Sequence, residues 1–159
     1  MNNNSHEKLI KLHKVEKRLL EINNSRGNLP NKISILNEKI NILITENKNY
    51  ESRLSEIDSR KTLLNSKISD IEHKINTLNE QMYKVKSNRE YEALLSEIDH
   101  LNNENNTHFE ELGTFDTETE NINDALKKNT EDLESENQKF IDAILRTQQL
   151  QNIRKDIRK

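Results

Sequence analysis

The sequence has no cysteine, one proline, two glycines and few aromatic residues among its 159 positions. Without cysteine, this stretch cannot form disulfides, use thiol catalysis or bind metal through thiolates. So few glycines and prolines disfavour the many turns of sandwiches, barrels and doubly wound sheets. Only 31% of the residues are apolar, which is too few for a thick globular core. Because the net charge is only −3, the composition favours long, solvated helix with a narrow apolar seam over disorder.

Apolar residues recur at alternating steps of three and four from Leu12 to Val85, and we call these positions the first seam. Of its 22 positions, 19 are apolar, and the exceptions are Arg26, Asn47 and Lys61. A heptad repeat sustained over this length predicts a coiled coil with a left-handed supercoil.

A second seam runs from Tyr91 to Ile157, and 13 of its 20 positions are apolar. Tyr91 follows Val85 at a step of six residues, which fits neither three nor four, so the chain is expected to reverse near Asn88. The predicted fold is all-α, a single antiparallel coiled-coil hairpin. Its ascending arm covers about residues 5–85, its tip 86–90 and its returning arm 91–157. The stretch from Leu19 to Val85 would be about 100 Å long at 1.5 Å per residue.

Folding back at Asn88 predicts that the numbers of facing residues add up to about 176. This register places Leu54 opposite Ile122. It also pairs Asn47 with Asn129, and a buried asparagine pair of this kind can set the register of a coiled coil. Two layers fit poorly, because Ile40 faces Glu136 and Lys61 faces Phe115. The long stems of the charged residues would carry their heads to water.

Two glycines predict local distortions. In Gly27-Asn28-Leu29-Pro30, glycine suits the C′ position just past a helix end and proline suits the first turn of a new helix. We therefore expect a kink within the ascending arm. Gly113 is the expected position of a bend in the returning helix, because glycine weakens a helix interior.

The tip, Val85-Lys86-Ser87-Asn88-Arg89-Glu90-Tyr91-Glu92-Ala93-Leu94 followed by Glu97-Ile98, resembles the Asn-Arg-Glu-Tyr-x-Ala-Leu-x-x-Glu-Ile signature of the bacterial C4-type zinc-ribbon family. Arg26-Gly27-Asn28-Leu29-Pro30 resembles the Arg-Gly-x-Leu-Pro element of the same family. The resemblance implies a long coiled-coil hairpin followed by a four-cysteine ribbon. That ribbon would follow residue 159, and we expect the sequence to stop before it rather than to belong to a member without one. Zinc would be a cofactor only of the ribbon.

The resemblance implies a cytoplasmic, non-enzymatic adaptor or chaperone-like scaffold for other proteins. Members of the family are associated with sigma factor 54, flagellar biogenesis, type III secretion components and flagellin messenger RNA. Protein partners of these kinds are therefore one hypothesis for this chain, as a monomer or a dimer. RNA binding through the basic open end and a missing ribbon is an alternative, and a structural oligomer of long helices is another.

Candidate interaction residues lie at both ends of the predicted hairpin. The tip residues Asn88, Arg89, Glu90 and Tyr91 either dock a partner or simply build the turn. His108 lies on the second seam, where it is expected to pack rather than bind metal. No catalytic motif, cofactor site in this chain or membrane span is expected from the sequence. The candidate basic end consists of Arg154, Lys155, Arg158 and Lys159.

Overall fold

A computed structural model of the protein describes residues 2–158, with the side chain of residue 2 left aside. Three helices cover nearly all of this range: α1 (Asn2–Arg26), α2 (Leu29–Met82) and α3 (Asn88–Arg158). None of the described residues forms a strand. Ion pairs join α2 and α3 at sequence separations of 51 to 65 residues. The predicted all-α helical hairpin is therefore confirmed.

The joint between α1 and α2 lies at Gly27 and Asn28, where the sequence predicts a kink. The amide of Gly27 donates to the carbonyl of Asn24 at 3.3 Å, and the carbonyl of Asn28 accepts the first bond of α2, from the amide of Lys32, at 3.0 Å. Gly27 directly follows the end of α1, as predicted, and among the described residues no glycine has a positive φ. A tighter turn ends α1 instead, whereas Pro30 lies in the first turn of α2, where its missing N–H removes no helical hydrogen bond.

The chain reverses over residues 83–87, slightly earlier than the predicted tip. The amides of Tyr83 and Lys84 donate to carbonyls three residues back, at 3.3 and 2.9 Å, which closes α2 with a tight turn. The hydroxyl of Ser87 accepts a hydrogen bond from the amide of Glu90 at 3.2 Å. Ser87 is thus the N-cap of α3, because it satisfies one of the amides that the first helical turn leaves unpaired.

The chain divides into two compact units. The first comprises Met1–Glu46 and Lys128–Lys159, and the second comprises Asn47–Lys127. The buried apolar residues of both units all belong to the two predicted seams. In the first unit they are Ile22, Ile40 and Leu150, and in the second they are Ile57, Leu64, Ile68, Ile71, Ile98, Leu101 and Ile122.

Burial follows the heptad repeat closely. Between residues 19 and 85, every first-seam position is buried or half-buried and every other residue is exposed. On α3, every second-seam position after Tyr91 is also shielded. Leu12, Val15 and Tyr91 are the seam residues that stay exposed. Ile22 and Leu150 line one hollow.

The charged residues of the two layers that fit the predicted register poorly, Lys61 and Glu136, are accommodated in different ways. The Lys61 ammonium leaves the core and pairs with Asp116, as expected for a long stem that carries its charge outward. Glu136 pairs through one carboxylate oxygen with Lys139 at 3.4 Å. Its other oxygen is buried without a hydrogen bond to any described residue. At Gly113, α3 continues without interruption.

Candidate interaction surfaces

In the second unit, two ion pairs with two hydrogen bonds each join α2 to α3 beside the seams. Each joins residues that directly precede a seam position from which the next step along the seam is three residues, and we call these residues edge positions. Arg53 binds Glu118 through two N–H groups at 2.6 and 3.1 Å, and Arg60 binds Glu111 at 3.0 and 3.4 Å. The residue numbers add to 171 in both pairs, one heptad apart. Such complementary edge charges fix the orientation and register of paired helices.

The Arg53–Glu118 pair also perturbs both titrating groups. The hydrogen bonds with Arg53 hold the pKa of the Glu118 carboxyl below its ordinary value. The hydrogen bond to Glu118 and a further one to Glu56 raise the pKa of Arg53. Both shifts favour the charged forms, because each charge is stabilised by its partner.

Polar residues interrupt the second seam in the second unit. Asn105 is 6% exposed, and its side-chain oxygen has no hydrogen bond from any described residue. Both imidazole nitrogens of His108 are likewise buried without such a bond, and Nε2 lies 3.8 Å from a carboxylate oxygen of Glu104. The described residues contain no group of three or more His, Asp or Glu side chains able to hold a metal.

The two predicted register-setting asparagines occupy shielded seam positions. Asn129 is 9% exposed, and its amide donates to Glu46 at 3.2 Å within the first unit. Asn47 is half-buried. Their pairing with each other stays a prediction.

The candidate tip residues Asn88, Arg89, Glu90 and Tyr91 form the exposed first turn of α3. Tyr91 is 42% exposed and lines an open hollow of about 450 Å³ with Asn79, Met82 and Tyr83. These residues therefore help to build the turn and also present side chains to solvent. A role in docking a partner stays a prediction.

The candidate basic end is split between seam and surface. Arg154 is half-buried on the second seam, whereas Lys155 and Arg158 are exposed. Lys155 and Arg158 share an open hollow with Asn152 and Asp156. Lys159 lies outside the described residues.

A more apolar hollow of about 480 Å³ lies in the first unit, where the start of α2 meets the end of α3. Its floor includes Ala143, a seam position of α3 where a single methyl group fills less space than the side chain of Phe140 one turn earlier. Ile35, 52% exposed, stands at its side. We call it the lysine hollow, and its lining is Leu29, Lys32, Ile35, Leu36, Lys39, Lys139, Asp142 and Ala143.

Searches against protein-family models, curated proteins and solved structures found no match to this chain. The zinc-ribbon resemblance therefore stays a prediction. No helix within residues 2–158 is both long and apolar enough to cross a membrane.

The polar residues of the predicted reversal suggest a cap for the following helix, and Ser87 is that cap; Ser87 and Glu90 also have the spacing of a capping box. Sequence reasoning missed two other features. The edge ion pairs were also readable, since Arg53 and Arg60 are one heptad apart, as are Glu111 and Glu118. The lysine hollow depends on the small side chain of Ala143 facing α2, which only the observed register shows.

Proposed function

We propose that the protein is a non-enzymatic coiled-coil scaffold that binds other proteins. The observation that carries this proposal is the distribution of its apolar side chains. The seams supply the pairing of its own helices, yet large aliphatic residues remain exposed outside them. Contiguous exposed apolar patches rimmed by polar residues are typical of protein-binding surfaces, and several of these residues recur at helical spacing on one face of their helix. Examples are Ile35, Ile42, Ile141 and Leu145, which are 49 to 58% exposed.

The resemblance at the tip and at the joint suggests the clients to test first. These are sigma factor 54 and components of flagellar or type III secretion machinery. The experiment measures binding of the purified chain to each purified client by biolayer interferometry. We expect saturable binding that weakens when Arg89→Ala and Tyr91→Ala are combined, and that is unchanged by Lys48→Ala, a substitution of an exposed residue of α2. If the combined tip variant and Lys48→Ala bind a client equally well, the tip is not the binding site. If the unmodified chain binds none of the clients, they are not its partners.

RNA binding is the second candidate, supported by the exposed Lys155 and Arg158 at the end of α3. Phosphate contacts by cations make nucleic-acid affinity fall steeply with salt. Replacing Arg154, Lys155, Arg158 and Lys159 with glutamine should then abolish a salt-dependent mobility shift with RNA. A shift that persists in this variant would assign the RNA contact elsewhere.

A further inference from the structure

We propose that the lysine hollow is the docking site for an acidic amphipathic helix of a partner protein. This proposal rests on the scaffold function proposed above and names the chemistry of one partner. The hollow belongs entirely to the first unit, and its lining contains three lysines and one carboxylate.

The edge charges provide the first argument. In the second unit, the edge positions that face each other carry complementary charges, Arg53 with Glu118 and Arg60 with Glu111. Three heptads further along the same repeat, the equivalent edge positions are Lys32 and Lys139, whose numbers also add to 171. Here two like charges flank the seam, and like charges at this position weaken the pairing of the helices.

The lysines of the hollow are only partly compensated, because by the same rule Lys39 faces Asp132 but forms no ion pair with it. Lys139 lies 3.4 Å from Glu136 on its own helix, while Lys32 and Lys39 form no ion pair with any described residue. The carboxylate of Asp142 accepts a hydrogen bond from Gln138 at 3.0 Å. The hollow therefore presents excess positive charge, which favours a partner that brings carboxylates.

The shape of the apolar surface provides the second argument and specifies a helix. On α2, Lys32, Ile35, Lys39 and Ile42 follow each other at steps of three, four and three, which forms a stripe beside the first seam. Ile35 and Ile42 are 52 and 58% exposed. A helix with the same repeat could place apolar residues against the isoleucines and carboxylates against the lysines, as in helix-in-groove recognition. Aliphatic side chains offer nothing on which nucleic-acid bases could stack.

The test uses the full chain and a fluorescent synthetic helix of about 21 residues, or three heptads. Leucine repeats along one face of this acidic peptide, and glutamates flank the leucines. A matched basic peptide carries lysine at every glutamate position. We expect fluorescence anisotropy to show saturable binding of the acidic peptide. The basic peptide should bind with an affinity at least about tenfold lower.

Ile35→Asp should weaken binding of the acidic peptide about tenfold or more. Leu63→Asp is its matched control, because Leu63 is 46% exposed at the same heptad position in the second unit, and it should leave binding unchanged. Circular dichroism checks that both variants keep the helical content of the unmodified chain.

Lys32→Glu provides a second test that loss of folding cannot imitate. It places opposite charges at the facing edge positions, so it should raise the melting temperature while weakening binding of the acidic peptide. Equal binding of the two peptides, or full binding by Ile35→Asp, would overturn the proposal. Dimerisation of the unmodified chain that Ile35→Asp abolishes would also overturn it, because a second copy would then cover the hollow. Client binding that survives Ile35→Asp would disprove the hollow as the site for that client and leave the scaffold function intact.

Discussion

Leu63 and Leu64 are neighbours in sequence with opposite environments. Leu64 is completely buried on the first seam, whereas Leu63 is 46% exposed. The heptad repeat alone produces this contrast, because a helix turns each successive side chain by about 100°. The contribution of a leucine to stability is therefore set by its heptad position.

We expect Leu64→Ala to lower the free energy of unfolding by about 2–5 kcal/mol, because it removes buried methyl groups and leaves a cavity. Leu63→Ala is the control and should change it by less than about 0.5 kcal/mol. Urea denaturation followed by circular dichroism measures both. Similar losses in the two variants would contradict the observed seam.

Asn105 is the opposite case, a buried side chain that we expect to weaken the fold. Its oxygen is shielded from water and has no hydrogen bond from a described residue. Asn105→Leu should therefore raise the free energy of unfolding by about 1–3 kcal/mol, because it removes an unpaired acceptor and adds apolar burial. The exposed neighbour Asn106, changed to leucine, is the control and should have little effect in the same urea titration. A loss of stability in Asn105→Leu would show that a water or another group satisfies this side chain.

At the scale of the element, α3 begins at a side-chain cap. Ser87→Ala should lower the free energy of unfolding by about 1 kcal/mol, because the amide of Glu90 loses its acceptor. Thermal unfolding measures this loss. Ser96→Ala, at an exposed position inside the same helix, is the control and should not destabilise the chain. If both variants melt at the same temperature, the cap contributes nothing.

The elements could be predicted largely from the sequence, and the reason is physical. Between Leu19 and Val85 the apolar repeat alone specifies which residues are shielded, because two paired helices bury one narrow stripe of each. The exact end of α2 could not be predicted, since the seam continues to Val85 although the helical hydrogen bonds stop at Met82. The end of α1 at Gly27 was predictable, but the tight turn without a left-handed residue was not.

The candidate sites were less predictable than the helices. The sequence shows that Arg154 and Lys155 are cations, but only the structure places one on the seam and the other on the surface. The lysine hollow likewise depends on pairing between residues more than a hundred positions apart. Which charges on separate helices lie near each other can be judged only when the register between those helices is known.

At the scale of the molecule, the antiparallel pairing can be tested with a cross-link, because the chain has no native cysteine. Leu54→Cys combined with Ile122→Cys should give a disulfide within the monomer, since both residues lie on seams that face each other in the second unit. Leu54→Cys with Leu101→Cys is the control, about three heptads out of register, and should remain reduced. Mass spectrometry of the monomer peak after mild oxidation measures both. Cross-linking of the control alone would contradict the pairing.

The Arg53–Glu118 pair predicts a pH dependence of stability. Because the pKa of Glu118 is lowered in the folded chain, its contribution to stability is complete at pH values above its pKa in the unfolded chain. It is lost as the pH falls through the folded pKa. Glu118→Gln should therefore melt at a lower temperature than the unmodified chain near pH 7, and this difference should shrink toward pH 3.

Differential scanning calorimetry at several pH values measures this difference. Glu120→Gln is the control for loss of a carboxylate, because Glu120 forms no ion pair with any described residue. Salt at 1 M should also reduce the effect of Glu118→Gln. At this ionic strength the Debye length is only about 3 Å, so the attraction between exposed charges is strongly screened. A difference in melting temperature that grows as the pH falls would contradict this ion pair.

The short connection at residues 83–87 has a consequence for how the protein responds to dilution. It tethers α2 to α3, so each helix meets the other at a high effective concentration that does not depend on how much protein is present. Folding of the intact chain is thus a first-order event. Cleavage after Lys84 or Lys86, in the one segment between α2 and α3 without helix, would convert it into a bimolecular association that fails in dilute solution.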